Sequence, residues 1–285
     1  MIGTCEVISS AGELNAWLAR NKRKPLGLVP TMGALHEGHM ALVKRAREDC
    51  GYVIASIFVN PMQFGANEDF GKYPRTFEAD LKACTDAGVD AIFHPGAELM
   101  YPGGAKNTTR VVSPPALIAG LCGAFRPGHF EGVATVVAKL FNLVKPDFAY
   151  FGEKDYQQLQ VIKKMVADLD MSVKVVPVPI VRESDGLALS SRNVYLTPEQ
   201  RKLAPALYST LKEVSEQTKQ GNALRSVLKI GKEKIGSLPG VTLQYLEACD
   251  PASLELLHEA RVPMVILVAA KYGDVRLIDN LIITD

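Results

Sequence analysis

The sequence predicts an α/β protein in which helices cover both faces of a doubly wound parallel β-sheet, followed by a smaller α+β region. Residues 26–93 follow a β-loop-α-β-loop-α-β order, and their strands are short continuous apolar runs typical of buried parallel strands. With 285 residues and 47% hydrophobic content, the chain can bury a large core. After about residue 180 the composition becomes polar and rich in turn residues. We therefore predict one domain over residues 1–180 and a second over residues 181–285.

The first region alternates strands with helices. Its apolar runs predict strands near residues 26–30, 52–59, 89–93, 147–151 and 173–180. Its helical spacing predicts helices near residues 11–23, 39–49, 77–87, 130–144 and 152–169, with a short helix starting near residue 113. Thr76 is expected to cap the third of these helices, and residues 96–109 to form a loop. Pro177 and Pro179 indicate that the last strand lies at an edge of the sheet or leaves it.

The second region has a different order of elements. The segment from Thr197 to Gln200 combines a cap, a proline at the first helical position and a glutamine at the third, which indicates a helix start. Two helices are expected, over about residues 198–219 and 222–236. The strands that follow, near residues 241–248, 263–270 and 274–283, predict a small and mostly antiparallel sheet.

Composition and charge exclude several classes of protein. Lys and Arg total 32 and Asp and Glu total 31, so the chain lacks the excess of basic residues expected for a nucleic-acid partner. The five cysteines are scattered without a CxxC pair, which favours free thiols in a reducing compartment. The first six residues lack signal-peptide features, and no run approaches the ~20 apolar residues of a membrane span. We expect a cytoplasmic protein without a membrane or nucleic-acid partner.

Residues 28–40 carry the most informative pattern in the chain. An apolar strand passes into a turn of small residues, and a helix begins close to His36 and His39. Such histidines are often surface or capping residues, and a zinc site would need further ligands that the spacing does not supply. Exposed N–H groups at a helix start, with Gly38 allowing close approach, favour a phosphate instead.

Two cations follow other predicted strand ends or turns. Lys154 provides a point charge and Arg192 a planar fork, and both suit phosphate oxygens. Gly152 precedes the lysine, and a pair of serines precedes the arginine. The alternative for either cation is a solvated surface charge.

Neutral amides and one acid complete the candidate residues. Asn60, Gln63 and Gln158 could hold a carboxylate or a hydroxyl group, although each could equally be an ordinary surface amide. Asp80 could help to order Mg²⁺, or it could simply interact with the dipole of its helix.

Several longer motifs occur in order along the chain and carry a resemblance. The stretch from Pro30 to His39 resembles the HIGH-type signature of the nucleotidyltransferase superfamily. Together with the later motifs it closely resembles the pantothenate synthetase, or pantoate–β-alanine ligase, family. These motifs are Phe58-Val59-Asn60-Pro61-Met62-Gln63-Phe64, Tyr73-Pro74-Arg75-Thr76, Arg126-Pro127-Gly128-His129-Phe130, residues 151–158, residues 187–193, residues 265–270 and residues 276–280.

The resemblance implies a Rossmann-like N-terminal domain, a C-terminal lid domain and a homodimer. It implies His39 as the catalytic histidine, His36 as a phosphate ligand, Gln63 as a contact of pantoate and β-alanine, and Gln158 as a contact of pantoate. ATP would be bound by Met32, Gly33, Ala34, Leu35, His36, Glu37, Gly38, His39, Gly152, Glu153, Lys154, Asp155, Val181, Leu189, Ser190, Ser191 and Arg192. Some members have an Asp pair where this chain has Ala79-Asp80, so Asp80 would meet Mg²⁺ indirectly, through water and phosphate.

The reaction implied is the ATP-dependent joining of pantoate to β-alanine through pantoyl adenylate. His36, His39, Lys154 and Arg192 would stabilise phosphate charge, and we expect their loops to converge. Three alternatives remain open at this point. They are adenylyl transfer to a phosphate-bearing cofactor precursor, a nucleotide-binding regulatory module without turnover, and a zinc hydrolase.

Overall fold

The computed structural model describes residues 5–21, 24–65 and 68–284. These residues group into two compact units, and each is described by itself. The first unit comprises residues 5–114, 126–153 and 161–179, and the second comprises residues 115–125, 154–160 and 180–284.

The first unit is built on a parallel sheet whose six described strands have the order β1-β4-β3-β2-β5-β6. The strands are β1 (Glu6–Ile8), β2 (Leu26–Thr31), β3 (Tyr52–Ile57), β4 (Ala91–Phe93), β5 (Phe148–Gly152) and β6 (Lys174–Val178). The central strands are apolar along their length because both faces are covered, and Leu28, Val29, Val53 and Ile54 are fully buried.

Helices connect these strands. They are α1 (Ala11–Arg20), α2 (Glu37–Asp49), α3 (Phe77–Asp86), α4 (Ala97–Met100), α5 (Pro115–Ile118), α6 (Cys122–Phe125), α7 (His129–Val144) and α8 (Tyr156–Asp168). Short 3-10 helices cover Pro61–Gln63, Ala105–Asn107 and Glu153–Asp155. By the division above, α5, α6 and the first turn of α8 belong to the second unit.

The direction of strand order reverses between β2 and β5, and this topological switch point is where ligands bind in open α/β sheets. The two strands pair only at Gly27 and Leu28, although β2 continues to Thr31. Leu26 bonds to Asp147, next to β5, through both its N–H and its C=O. Because backbone polar groups alternate in direction along a strand, those at positions 28 and 30 also face β5. Pro30 has no N–H to extend the ladder, and the pairing of β2 with β5 does not continue beyond Leu28.

The second unit is an α+β structure with an antiparallel sheet. A 3-10 helix (Ser191–Tyr195) precedes α9 (Pro198–Leu203), α10 (Ala206–Lys219) and α11 (Leu224–Gly236). The strands β7 (Val241–Cys249), β8 (Met264–Tyr272) and β9 (Val275–Ile283) follow, in the order β7-β8-β9. The apolar faces of α10, α11 and the sheet form the core, which includes Leu211, Val214, Leu228, Ile266 and Val268.

The fold class predicted from the sequence is confirmed, with local corrections. The short edge strand β1 was missed, and the loop expected at residues 96–109 contains α4 and a short 3-10 helix. The single helix expected over residues 198–219 is two helices, because Pro205 cannot donate the hydrogen bond that would continue the first. Helix α1 ends at Arg20, and the part of its prediction on residues 22–23 lies outside the described residues.

Two further expectations concern edges and membranes. β6 lies at an edge of the parallel sheet, as Pro177 and Pro179 predicted. None of the helices in the described parts of the chain combines the length and the apolar character that crossing a bilayer requires.

Candidate active site

The loop between β2 and α2 is held in a strained backbone conformation. Gly33 and Ala34 have φ angles of 83° and 51°, in the left-handed region that favours glycine. A Cβ atom at Gly33 would lie 3.0 Å from Asp80 Oδ2 and 3.1 Å from Ile57 Cγ2. The loop therefore passes close to the first turn of α3, and a larger residue at position 33 would displace it.

Asp80 anchors this loop through its backbone. Its two carboxylate oxygens accept the N–H of Ala34 at 2.9 Å and the N–H of Leu35 at 2.8 Å. Thr76 Oγ1 lies 3.3 Å from Asp80 Oδ1 and donates to it. The side chain of Thr76 thus does not cap α3, contrary to expectation, because the hydroxyl serves the carboxylate instead. Asp80 is 2% exposed, so these bonds fix the shape of the loop without competition from water.

His36 and His39 form a reciprocal cap at the start of α2. His36 Nδ1 accepts the N–H of Gly38 at 3.1 Å, and His39 Nδ1 accepts the N–H of His36 at 3.3 Å. Their ring centroids lie 4.1 Å apart. Because each Nδ1 atom accepts a backbone hydrogen, the neutral rings carry their hydrogens on Nε2. The pair is therefore both a cap and a possible source of two Nε2–H donors, which combines two interpretations that the sequence left as alternatives.

The loop after β3 has an amide network with one defined orientation. Asn60 Oδ1 accepts the N–H of Met62 at 3.2 Å and the Tyr101 hydroxyl at 2.6 Å, which assigns its Nδ2 as the donor. That Nδ2 donates to Gln63 Oε1 at 3.1 Å and to the carbonyl of Gly132 at 3.1 Å. Burial raises the pKa of Tyr101, so its hydroxyl keeps the proton that it donates.

Gln63 is oriented by this network. With Oε1 facing Asn60, its Nε2 lies 2.9 Å from Met32 Sδ. The structure thereby brings together Met32, Asn60 and Gln63, three residues that the sequence singled out at two separate strand ends. Tyr101 and Gly132 were not singled out, since nothing in their local pattern indicates a partner about 40 and 70 residues away in the chain.

In the second unit, Lys154 follows the end of β5 in a short 3-10 helix. Its Nζ lies 3.7 Å from Asp155 Oδ2, and its side chain is 20% exposed. Its backbone carbonyl accepts a hydrogen bond of 3.1 Å from Asn280 Nδ2 on β9. Two further residues predicted to bind ATP precede Lys154. Gly152 is the last residue of β5, and burial raises the pKa of the Glu153 carboxyl.

The segment around Arg192 is held by local bonds. The N–H of Leu189 donates to the carbonyl of Val181 at 3.0 Å, and Ser190 Oγ accepts the N–H of Arg192 at 3.3 Å. Ser190 therefore caps the 3-10 helix that begins with Ser191. These hydrogen bonds hold four of the predicted ATP-binding residues close together within the second unit, at positions 181, 189, 190 and 192.

A largely buried ion pair lies beside this segment. Arg182 donates to both carboxylate oxygens of Asp279, at 2.6 and 2.9 Å, and its guanidinium lies 3.6 Å from the centroid of the Tyr208 ring. Burial raises the pKa of Asp279, and Arg182 opposes that rise. Neither member of this pair was a candidate site residue, although Asp279 lies within the motif at residues 276–280.

The two glutamines at the start of α8 differ. Gln157 is buried; its Oε1 accepts the N–H of Cys122 at 2.9 Å and its Nε2 donates to the carbonyls of Leu117 and Gly120. Gln158, the predicted substrate contact, is partly exposed. Gln157 therefore holds the chain at residues 117–122, which leaves Gln158 as the one suited to a ligand.

His36, His39, Asn60 and Gln63 belong to the first unit, whereas Lys154, Gln158 and Arg192 belong to the second. The convergence of these two sets remains a prediction.

Comparison with known proteins agrees with the motifs. The family model for pantoate-beta-alanine ligase matches residues 6–282. Pantothenate synthetase from Pseudomonas putida (strain GB-1) is 51% identical over 276 residues, which cover 96% of each chain.

Solved structures extend the comparison to three dimensions. Pantothenate synthetase from Thermus thermophilus is 50% identical, with a TM-score of 0.93, over 98% of this chain and 100% of that one. Pantoate-beta-alanine ligase from Francisella tularensis, complexed with Beta-gamma ATP and beta-alanine, is 34% identical, with a TM-score of 0.81, over 98% of this chain and 97% of that one. With nearly the whole chain matched in sequence and in fold, the protein belongs to the pantoate–β-alanine ligase family.

Proposed function

We propose that the protein is an ATP-dependent ligase that condenses (R)-pantoate with β-alanine to form pantothenate. The observation that carries this proposal is the match of the family over residues 6–282, which includes every candidate site residue. The complex of the Francisella tularensis relative with Beta-gamma ATP and beta-alanine supports ATP and β-alanine as substrates of this chain.

Joining a carboxylate to an amine requires a better leaving group than oxide. A carboxylate oxygen of pantoate attacks the α-phosphorus of ATP, the bond to the bridging oxygen breaks, and pyrophosphate leaves. The amine of β-alanine then attacks the acyl carbon of pantoyl adenylate, and AMP leaves with the pair of electrons from the acyl–oxygen bond. The protein has mainly to position the reactants and to stabilise phosphate charge.

The residues of the chain divide this work. We propose that the Nε2–H groups of His36 and His39 donate to phosphate oxygens, with His39 at the reacting phosphate, and that the start of α2 adds its dipole. Lys154 and Arg192 supply positive charge to the same phosphates. Gln63, whose Nε2 is directed away from Asn60, positions pantoate and β-alanine, and Gln158 positions pantoate.

We propose that Asp80 meets Mg²⁺ only indirectly, through water and phosphate. Both oxygens of Asp80 accept backbone N–H groups, and no cluster of three or more His, Cys, Asp or Glu side chains suited to a metal ion occurs in residues 5–21, 24–65 and 68–284. We propose that Mg²⁺ arrives with ATP, held by phosphate oxygens and water.

We further propose a cytoplasmic homodimer with a catalytic domain over residues 1–180. Residues 181–285 would act as a lid that excludes water while the adenylate exists, because a mixed anhydride hydrolyses when exposed. The first 180 residues alone should accordingly lack ligase activity.

The decisive experiment measures AMP and pyrophosphate release from ATP, Mg²⁺ and pantoate, with and without β-alanine. We expect AMP to be released in step with pantothenate, and only when β-alanine is present. A product that retains AMP would indicate adenylyl transfer to another acceptor. Nucleotide binding without pyrophosphate release would indicate a regulatory module.

A further inference from the structure

The segment Arg126–His129 leads into α7, whose first residue is His129, and it carries no role in the mechanism above. His129 is 8% exposed, and its Nδ1 lies 2.8 Å from the backbone carbonyl oxygen of Gln63. Its Nε2 lies 3.0 Å from Arg126 Nη1. Both nitrogens of this buried imidazole are therefore hydrogen-bonded, and one of them holds the main chain of residue 63.

The two partners assign the tautomer of His129. A carbonyl oxygen can only accept, so Nδ1 carries the hydrogen and donates it to Gln63. A guanidinium can only donate, so Nε2 has the lone pair that accepts from Arg126. A protonated ring would direct a second N–H at the arginine, and the arrangement therefore favours neutral His129.

Arg126 is itself fixed by a carboxylate. Its Nε and Nη2 donate to the two oxygens of Glu68 at 2.7 and 2.5 Å, and its Nη2 also lies 3.3 Å from the carbonyl of Gln63. The side chains of Arg126 and Glu68 are 13% and 24% exposed, so this bidentate pair is shielded from solvent. Glu68, Arg126 and His129 thus form a continuous support that ends at Gln63.

The opposite side of the loop is held just as closely. Gly132, one turn into α7, has no side chain, and a Cβ atom there would clash with the carbonyl of Met62. The backbone of the loop therefore lies directly against the helix. Asn60 and Tyr101 then orient the side chain of Gln63, while His129 holds its main chain.

We propose that Arg126 and His129 are positioning residues for pantoate, acting through the main chain of Gln63. This inference rests on the proposed function, in which Gln63 contacts pantoate. Losing the bond from His129 would leave the Gln63 carbonyl oxygen with only the longer bond from Arg126, and residue 63 could then move. A shift of 1 Å in a positioning group is enough to cost substantial rate.

The test compares His129→Ala with His129→Asn. The amide nitrogen of asparagine and Nδ1 of histidine are both two bonds from Cβ, so asparagine can restore the donor to the Gln63 carbonyl. We expect His129→Ala to raise the KM for pantoate by about tenfold and the KM for ATP by less than about threefold. His129→Asn should recover most of the loss, and exposed His258→Ala should match the unaltered protein.

A double-mutant cycle with Gln63→Ala shows whether the two residues act together. If His129 acts through Gln63, the combined variant should be no worse than the poorer single variant by more than about twofold. Additive losses, equal changes in both KM values, or no recovery in His129→Asn would each overturn the proposal.

Tyr101→Phe provides a second route should His129→Ala fail to fold. It removes only the hydroxyl that donates to Asn60, and it should raise the KM for pantoate by about threefold while sparing ATP. An unchanged KM for pantoate in Tyr101→Phe would refute a positioning network around Gln63. Absence of ligase activity in the unaltered protein would instead refute the proposed function.

Discussion

Asp80 in the first unit and Asp279 in the second are both almost fully buried carboxylates beside segments predicted to bind ATP, yet their partners differ in kind. Asp80 accepts from two backbone N–H groups and one hydroxyl group. Asp279 accepts two hydrogen bonds from the guanidinium of Arg182, a full positive charge that Asp80 lacks, besides one from the N–H of Asn280. The first carboxylate shapes one loop, whereas the second neutralises a buried charge. Removing them should therefore have consequences of different size and different reach.

The largest effect is expected from Asp279→Ala. This change leaves the guanidinium of Arg182 buried without its counter-ion, and breaking a buried pair in this way costs about 3–5 kcal/mol. Denaturant unfolding should show the loss, and hydrogen exchange should accelerate along β8 and β9. Asp274→Ala removes an exposed acid near the same strand and should change stability by no more than about 0.5 kcal/mol. A loss for Asp279→Ala no greater than this control would contradict the comparison.

Lys154→Ala should have the next largest effect, on rate instead of stability. Asn280 holds the main chain of Lys154, so the loop should survive the loss of the ammonium group. Removing one group that stabilises charge in the transition state lowers a rate by about 10²- to 10³-fold. Single-turnover formation of pantoyl adenylate measures this step, with the melting temperature as the check on folding.

Lys164→Ala is the matched control, because Lys164 lies on α8, the helix that follows Lys154, and makes an exposed pair with Asp168. It should leave the adenylation rate unchanged. Near-normal adenylate formation by Lys154→Ala would exclude the role proposed for the ammonium group.

The smallest effect is expected from Asp80→Asn. One amide group cannot accept both backbone N–H groups, and the unsatisfied donor costs about 1–3 kcal/mol. Hydrogen exchange should increase in residues 33–40 but not in the second unit, and the KM for ATP should rise. Asp86→Asn, an exposed change on the same helix, serves as the control. If exchange rose throughout the chain, Asp80 would support the whole fold and not one loop.

The parallel sheet could be predicted because its central strands are continuous apolar runs separated by helices. β1 was missed because its three residues show only one buried side chain, which is too short a pattern to detect. The break at Pro205 was missed because the helical periodicity continues on both sides of the proline.

The site was predictable where its pattern is local. The strand, turn and helix around His36 and His39 lie within one stretch, and the amides of Asn60 and Gln63 lie within another. The supports of these stretches lie far away in the sequence: Asp80 is 46 residues from Ala34, and His129 is 66 residues from Gln63. No local sequence pattern predicts which backbone groups need a distant partner. The supporting roles of Asp80 and His129 can therefore be recognised only in the folded chain.

Pro30 has a consequence for any effort to alter this enzyme. β2 pairs with β5 only at Gly27 and Leu28, and the proline at position 30 has no N–H with which to continue the ladder. Enlarging or trimming apolar residues on either strand leaves this missing N–H unchanged, so we expect the pairing of the two strands to end at the same place. Only a residue with an amide hydrogen at position 30 could extend the hydrogen-bonded pairing of β2 with β5.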